Sequence, residues 1–239
     1  NRMGNYSVFV SNAVGTATSS NAALTLLPPP VCTDTPTGLI SWWPADGNLA
    51  DAMGTNNIAS FSPTLYVTGK VDRAFSFNGA SGRVQVNNST SLNFGSNANF
   101  AIETWIKVLS ISDNVLPING PNSTNTPIIE KRSVSGSTGI GYSLSLNAGR
   151  LTFWLGSSPI SSTNGSVFIS SGPDLRDAMF HHVAVSLERN SITGGKLYVD
   201  GQLVLTFDPT PRRGDLSNTS SLLIGAPTSL VTGLFFSGL

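Results

Sequence analysis

Residues 181–204, HHVAVSLERNSITGGKLYVDGQLV, constrain the fold more than any other part of the chain. Val183, Val185 and Leu187 alternate with smaller or polar residues, the period of a half-buried β-strand. Leu197, Val199, Leu203 and Val204 flank Asp200 and Gly201, a dipeptide that favours a two-residue hairpin turn because both central positions need positive φ. The middle of the protein is therefore expected to be antiparallel sheet, with two histidines at the start of a strand.

Other segments repeat the pattern. Residues 39–43 read as a first strand. Residues 74–78 and 83–87 read as a hairpin across Gly79 to Gly82, with Phe75, Phe77, Val84 and Val86 on one face. Residues 100–108 alternate, with Phe100, Ile102, Thr104, Ile106 and Val108 on one side. Residues 142–146 and 151–155 form another hairpin through Asn147, Ala148 and Gly149, and residues 222–225 add a further strand. Many short strands, no helical periodicity and frequent turn signals indicate an all-β sandwich or jelly roll. Segments 109–127 and 156–179 are rich in Ser, Asn, Gly and Pro and read as long loops, where binding residues tend to sit on a rigid scaffold.

Composition narrows the function. Charged residues make up 11% of the 239 positions, and 13 Lys and Arg balance 13 Asp and Glu. No basic field exists to hold nucleic acid or an anionic membrane. No apolar run reaches the roughly 18 residues of a membrane span. A single cysteine, Cys32, makes no internal bridge or Cys-rich zinc site. Asn5, Asn87, Asn88, Asn122, Asn164 and Asn218 head glycosylation sequons, which arise readily in such Asn/Ser/Thr-rich text.

Residues 1–27 form a separate short unit. Tyr6, Val8 and Val10 alternate, Asn12 and Gly15 mark a turn, and Ala23, Leu24 and Leu26 resume extended structure. The unit resembles the C-terminal strands of an immunoglobulin-like domain, with Tyr6 at the tyrosine corner and Val8 at the usual cysteine position. Pro28 to Pro30, with Pro36 beyond, read as a semi-rigid linker over residues 28–37.

From residue 38 onward several landmarks occur in order: SWWPADGNLADAMGTNN (41–57), GKVDRAFSFNG (69–79), VQV (84–86), FAIETWIKV (100–108), YSLSL (142–146), FHHVAVSLE (180–188), KLYVDG (196–201) and LLIG (222–225). Their order and spacing resemble a laminin-G-like domain of the concanavalin A-like lectin/glucanase superfamily. The resemblance implies a jelly-roll sandwich of two antiparallel sheets over residues 38–239, in an extracellular or cell-surface protein. Phe180 stands where the family commonly has tryptophan, and is expected to keep an aromatic core contact. The resemblance also implies an acidic last strand beginning at Gly238 and Leu239. Without it, an unpaired edge is expected beside residues 39–43, and a chain extended by that strand is expected to be more stable.

Catalysis is not expected. Superfamily glucanases use paired carboxylates about 5–5.5 Å apart. The three glutamates, Glu103, Glu130 and Glu188, have no acid at i+2 or i+4, and Trp105 stands where a partner of Glu103 would be. His181 and His182 are neighbours on a strand and so point to opposite faces. One is expected to be packed or hydrogen-bonded and the other to lie on the opposite face, and no carboxylate or nucleophile nearby in sequence gives them a catalytic task. Calcium is the more serious expectation. The resemblance implies an ion between an Asp-Gly-Asn loop and the last strand, and Asp46, Asn48 and Asp51 match the first half. The competing reading of this loop is an Asx turn. Trp42, Trp43, Trp105 and Trp154 are candidates for stacking on sugar rings, and since Trp42 and Trp43 point opposite ways, one of them should be exposed. The leading reading is a non-catalytic binding module engaging glycans or another surface protein, next to other domains of the same polypeptide. The alternatives are an adhesion spacer without a ligand and, less favoured, a glycosidase.

Overall fold

A computed structural model describes residues 3–25, 35–62, 65–109, 125–135, 138–157, 165–228 and 235–239. The chain divides into two compact units, Asn1–Gly38 and Leu39–Leu239. The proline linker at 28–30, Cys32, and the sequons at Asn122 and Asn164 lie outside the described residues, as does most of the loop expected at 109–127.

In the first unit, β1 (Gly4–Tyr6) pairs with β4 (Ala22–Leu24), and β2 (Phe9–Ser11) with β3 (Thr16–Thr18), all antiparallel. The Asn12 side chain accepts the Val14 and Gly15 N–H groups and closes the turn. Every residue of these four strands is exposed. Such an isolated ribbon has little apolar burial to stabilise it.

The second unit contains β5 (Ile58–Ser62), β6 (Leu65–Thr68), β7 (Arg73–Asn78), β8 (Arg83–Val86), β9 (Phe100–Lys107), β10 (Asn125–Ser135), β11 (Thr138–Asn147) and β12 (Arg150–Gly156). It continues with β13 (Ser166–Ile169), β14 (Phe180–Leu187), β15 (Gly195–Val199), β16 (Gln202–Phe207), β17 (Leu222–Ile224) and β18 (Ser237–Gly238). One sheet has the order β13, β12, β11, β10, β17, β8, β5. A second runs β16, β15, β14, β9, and a third β18, β7, β6. A Val108 to Gly238 bridge and reciprocal bonds between Lys107 and Leu239 join the last two. The result is a jelly-roll sandwich of two antiparallel layers, with β18 standing between β9 and β7.

The core lies between the layers. Val84, Val86, Leu144, Leu146, Leu151, Phe153 and Leu155 meet Phe75, Phe77, Ile106, Val183, Val185, Leu187, Leu197 and Val199 in one buried cluster. Phe153 of β12 faces Phe100 of β9 and Phe207 of β16, with ring centroids 6.5 and 6.2 Å apart. The alternation at Val183, Val185 and Leu187 aims these side chains inward, as their period requires. Both expected tight turns form. Ala148 and Gly149 have φ 47° and 77°, and Asp200 and Gly201 have φ 49° and 77°. Two positive φ values give the turn whose twist matches that of the flanking strands.

Four local expectations are corrected. The segment 156–179, read as a loop, contains β13, which adds to the edge of β12. Residues 74–78 and 83–87 do not form a hairpin. β7 pairs with β6 and β18, whereas β8 pairs with β5 and β17. Asn78 Oδ1 accepts the N–H groups of Ala80, Ser81 and Gly82, so the chain is turned out of one layer and into the other. The four apolar side chains are still buried together. Residues 39–43 are not a strand, because their backbone bonds go to a neighbouring loop: Trp42 N–H donates to the Asp51 carboxylate and Trp42 C=O accepts from Ala52 N–H. The neighbours of β18 are β7 and β9. Phe180 is not a core contact either. It lies on the outer side of β14, with the Lys107 ammonium 5.5 Å from its ring centroid.

Candidate functional site: the outer face of the four-stranded sheet

Side chains that alternate with the core residues of β9, β14 and β15 point away from the sandwich. On β9 these are Ala101, Glu103, Trp105 and Lys107; on β14, Phe180, His182, Ala184 and Ser186; on β15, Lys196 and Tyr198. Register sets them in rows. Lys107 lies opposite Phe180, Trp105 opposite His182, Glu103 opposite Ala184, and Ala101 opposite Ser186. Across the next strand gap Ala184 meets Tyr198 and Ser186 meets Lys196. The small residues Ala101, Ala184 and Ser186 floor a shallow trough. Trp105 closes one corner of it and Tyr198 stands on the far side, about 12 Å away by strand spacing and rise.

Trp105 is 43% exposed and sits on β9, the end strand of the four-stranded sheet. The His182 ring packs edge-on to it at 5.3 Å, and Lys70 Nζ lies 4.9 Å from its centroid. Glu103 Oε2 lies 3.8 Å from His182 Nε2. An indole held by cation and imidazole contacts is fixed before any ligand arrives, which limits the entropy lost on binding. Glu103 has Ala184 as its cross-strand neighbour, and Glu130 is buried against Arg132 and Thr228. Of the other tryptophans, Trp154 is 3% exposed. Trp43 packs on the core and donates to Asn56 C=O, while Trp42 is 51% exposed, so the adjacent pair does split between the two sides.

The two histidines take separate environments, as their adjacency requires. His181 is hydrogen-bonded through both ring nitrogens. Its Nδ1 lies 2.7 Å from Asp200 Oδ2, and its Nε2 lies 3.1 Å from Asp177 Oδ1. Burial of the ring opposes its charging, but the bonds to Asp200 and Asp177 outweigh this, and its pKa is raised above the ordinary histidine value. Asp200 Oδ1 also accepts His182 N–H at 2.9 Å. Asp177 Oδ1 accepts Met179 N–H at 2.8 Å. Asp200 could have been found in the sequence: with Leu187 opposite Gly195, residue 200 falls opposite residue 182. Asp177 is four residues before His181, a spacing with no meaning on a strand, and it is brought back by the turn at Ala178 (φ 61°).

In the loop of the expected calcium half-site, the carboxylate of Asp51 accepts from the backbone. Asp51 is 3% exposed, and its Oδ1 accepts Trp42 N–H at 2.8 Å and Met53 N–H at 3.0 Å. Its Oδ2 accepts Asn56 N–H at 3.0 Å and the Thr55 hydroxyl at 3.4 Å. A carboxylate has about four lone-pair positions, and three of those of Asp51 are taken by backbone N–H groups. Burial would raise its pKa, but the backbone donors outweigh that and the net shift is downward. Asn48 Oδ1 accepts Ala50 N–H in an Asx turn, and Asp46 Oδ1 accepts Arg73 N–H at 3.4 Å. Among the described residues, no group of three or more His, Cys, Asp or Glu side chains is placed to hold a metal ion. The loop that Asp51 ties together presents Ile40, Trp42, Leu49 and Met53, each at least 39% exposed.

Residues 78–239 match the Laminin_G_3 family model, described as concanavalin A-like lectin/glucanases superfamily. No curated protein sequence matches the chain. The binding domain of Paraclostridial mosquitocidal protein 1 superposes with a TM-score of 0.60 at 16% identity, over 77% of this chain and 42% of that one. The botulinum neurotoxin serotype G binding domain gives 0.54 at 12% identity, over 73% and 40%. The serotype D ligand-binding domain, solved with N-acetylneuraminic acid, gives 0.51 at 16% identity, over 74% and 39%. At such identities the likeness is one of fold, and this chain spans about two-fifths of the length of those three domains.

Proposed function

Because the chain belongs to the Laminin_G_3 family of concanavalin A-like lectin/glucanase domains, we propose that its Leu39–Leu239 unit is a non-catalytic recognition module of an extracellular protein, with a carbohydrate as ligand. The observation that carries this is Trp105. A large aromatic 43% exposed on the outer face of β9, beside a trough floored by small residues, offers an apolar face with polar groups around it. Sugar rings have one apolar face and a rim of hydroxyls, and Glu103, Ser186, Lys196 and Tyr198 supply donors and acceptors to such a rim. That solved relatives of the same fold are binding domains supports recognition as the general role.

A second reading rests on the loop fixed by Asp51. Trp42, Leu49 and Met53 form an exposed apolar group on an ordered backbone, which suits a protein partner. Glycan-array screening followed by calorimetry separates the two. The Trp105→Ala variant should lose about tenfold or more in glycan affinity with an unchanged melting temperature, since the side chain contributes little to the core. Full glycan binding by this variant would refute the assignment to this face. Loss of a protein ligand in Trp42→Ala, with no glycan bound by either form, would favour the second reading.

A further inference from the structure

His181 faces a carboxylate with each ring nitrogen, and a neutral imidazole has one N–H. Both bonds can be donated by the ring only in its imidazolium form. The two partners come from different elements: Asp200 from the turn between β15 and β16, and Asp177 from the segment entering β14. The third neighbour, β9, places uncharged Ile106 opposite His181. The nearest charge on that strand, Lys107, turns its ammonium to the Phe180 ring. Burial of the ring opposes the two aspartates, which raise its pKa.

The bonds are unequal. The contact to Asp200 is 2.7 Å, and Asp200 is further fixed by His182 N–H and by its own N–H donation to His182 C=O at 2.8 Å. The contacts to Asp177 are 3.1 and 3.2 Å, while both carboxylates are about half exposed. On loss of one proton the shorter Nδ1–H bond to Asp200 is kept. The Nε2 lone pair then faces the Asp177 carboxylate, and the attraction becomes a repulsion.

We propose that His181 is a positioning residue for the outer sheet face: a proton-operated latch that holds residues 176–179 against the start of β14 and releases them when it becomes neutral. These residues lead directly into Phe180, the end row of the face that carries Trp105 and His182. The latch bears on ligand binding through the glycan reading given above, on which that part of the inference rests. The sign follows from the pair. A histidine with a raised pKa gives its stabilisation below the ordinary value of about 6.5, and the stabilisation is lost as pH rises through the raised value. At the acid end the latch persists until the aspartates, both held below the ordinary carboxylate range, take up protons. For Asp177 the Met179 N–H bond leads that lowering; for Asp200 burial is the largest single effect and opposes it, and the His181 bond and charge together with the His182 N–H bond outweigh burial.

The test uses the whole chain and needs no ligand for its first arm. Nitrogen NMR of the His181 ring should show both nitrogens protonated at pH 6, and a titration midpoint above that of an unpaired histidine. Amide exchange at residues 176–180, corrected for intrinsic pH dependence, should quicken about five- to tenfold across that midpoint. His181→Gln should abolish the step and His182→Phe should retain it. A neutral ring at pH 6, or the same step in His181→Gln, would overturn the latch. In the second arm, affinity for an array-selected glycan should fall over the same pH range in wild type and not in His181→Gln. A latch that titrates in a protein that binds no glycan refutes the functional reading and leaves the latch standing. Glycan binding that depends on Trp105 but not on His181 or pH refutes the latch's effect on the face and leaves the functional reading standing.

Discussion

Replacing Asp51 by alanine removes one carboxylate from beneath a loop that holds no regular structure. Three backbone N–H groups lose their acceptor: Trp42 at 2.8 Å, Met53 at 3.0 Å and Asn56 at 3.0 Å. A hydrogen bond to a charged acceptor contributes about 1.5–3 kcal/mol, and an orphaned buried donor carries its full desolvation cost. Trp42 and Met53 are 51% and 39% exposed, so water can reach their N–H groups and each loss is about 0.5–1 kcal/mol. Asn56 is 3% exposed, so its N–H accounts for about 2 kcal/mol. The sum is about 3–4 kcal/mol, a large share of the stability of an ordinary domain. Asp51→Asn keeps one oxygen and turns an NH2 against a donor, so it should cost about half as much. Urea unfolding followed by tryptophan fluorescence measures the global loss, and amide exchange at residues 42, 53 and 56 shows whether the loop opens first. The pKa of Asp51 is lowered, so its stabilisation is present above the ordinary carboxylate value and lost as pH falls through the lowered one. The mutant and wild-type curves should converge in acid. Millimolar calcium should leave the wild-type midpoint unchanged. The reasoning fails if Asp51→Ala costs less than about 1 kcal/mol, or if calcium stabilises the wild type and not the mutant.

Two further outcomes are expected. Lys131 is fully buried and its ammonium is held by Asn93 Oδ1 at 2.7 Å and Asn218 C=O at 2.9 Å, with burial lowering its pKa to about 8. The unfolded chain therefore binds more protons between pH 8 and the ordinary 10.5, and stability should rise with pH across this window by up to about 3 kcal/mol; Lys131→Met should flatten that rise in pH-dependent denaturation. At Gly195 an added Cβ would lie 2.2 Å from the Phe207 ring, so Gly195→Ala should lower stability by about 1–3 kcal/mol in thermal unfolding, whereas an unchanged midpoint would mean that the ring moves freely.

The part of the fold that could be read from the sequence is the part decided locally. Val183, Val185 and Leu187 alternate because a strand with one buried face must, and Ala148-Gly149 and Asp200-Gly201 turn because few other pairs accept two positive φ values. The crossover after Asn78 was hidden, because Gly79 to Gly82 has the composition of a hairpin turn. What sends the chain to the other layer is a side-chain cap by Asn78 and the claim of β6 and β18 on β7. Residues 39–43 look like a strand for a similar reason: their apolar residues are real, but their backbone partners come from Asp51 and Ala52. In the site, Trp105 could be placed on the outward side by parity alone. The partners that define it could not. Lys70 reaches it from a turn beyond β6, and Asp177 reaches His181 by reversing the chain at Ala178. Side-chain contacts between elements distant in sequence leave no periodic trace.

The seam made by residues 237–239 has a mechanical consequence. Among the described residues, the block of β9, β14, β15 and β16 joins the block of β6 and β7 within its layer through these residues: Val108 bridges Gly238, Lys107 exchanges bonds with Leu239, and β18 pairs with Asn78 and Phe77. Tension along β18 loads both ladders in shear, and so few bonds yield before the longer ladder between β9 and β14. A module pulled from that end would part at the seam and keep Trp105, His182 and the trough on one intact block, so a bound ligand could be retained while the domain lengthens under load.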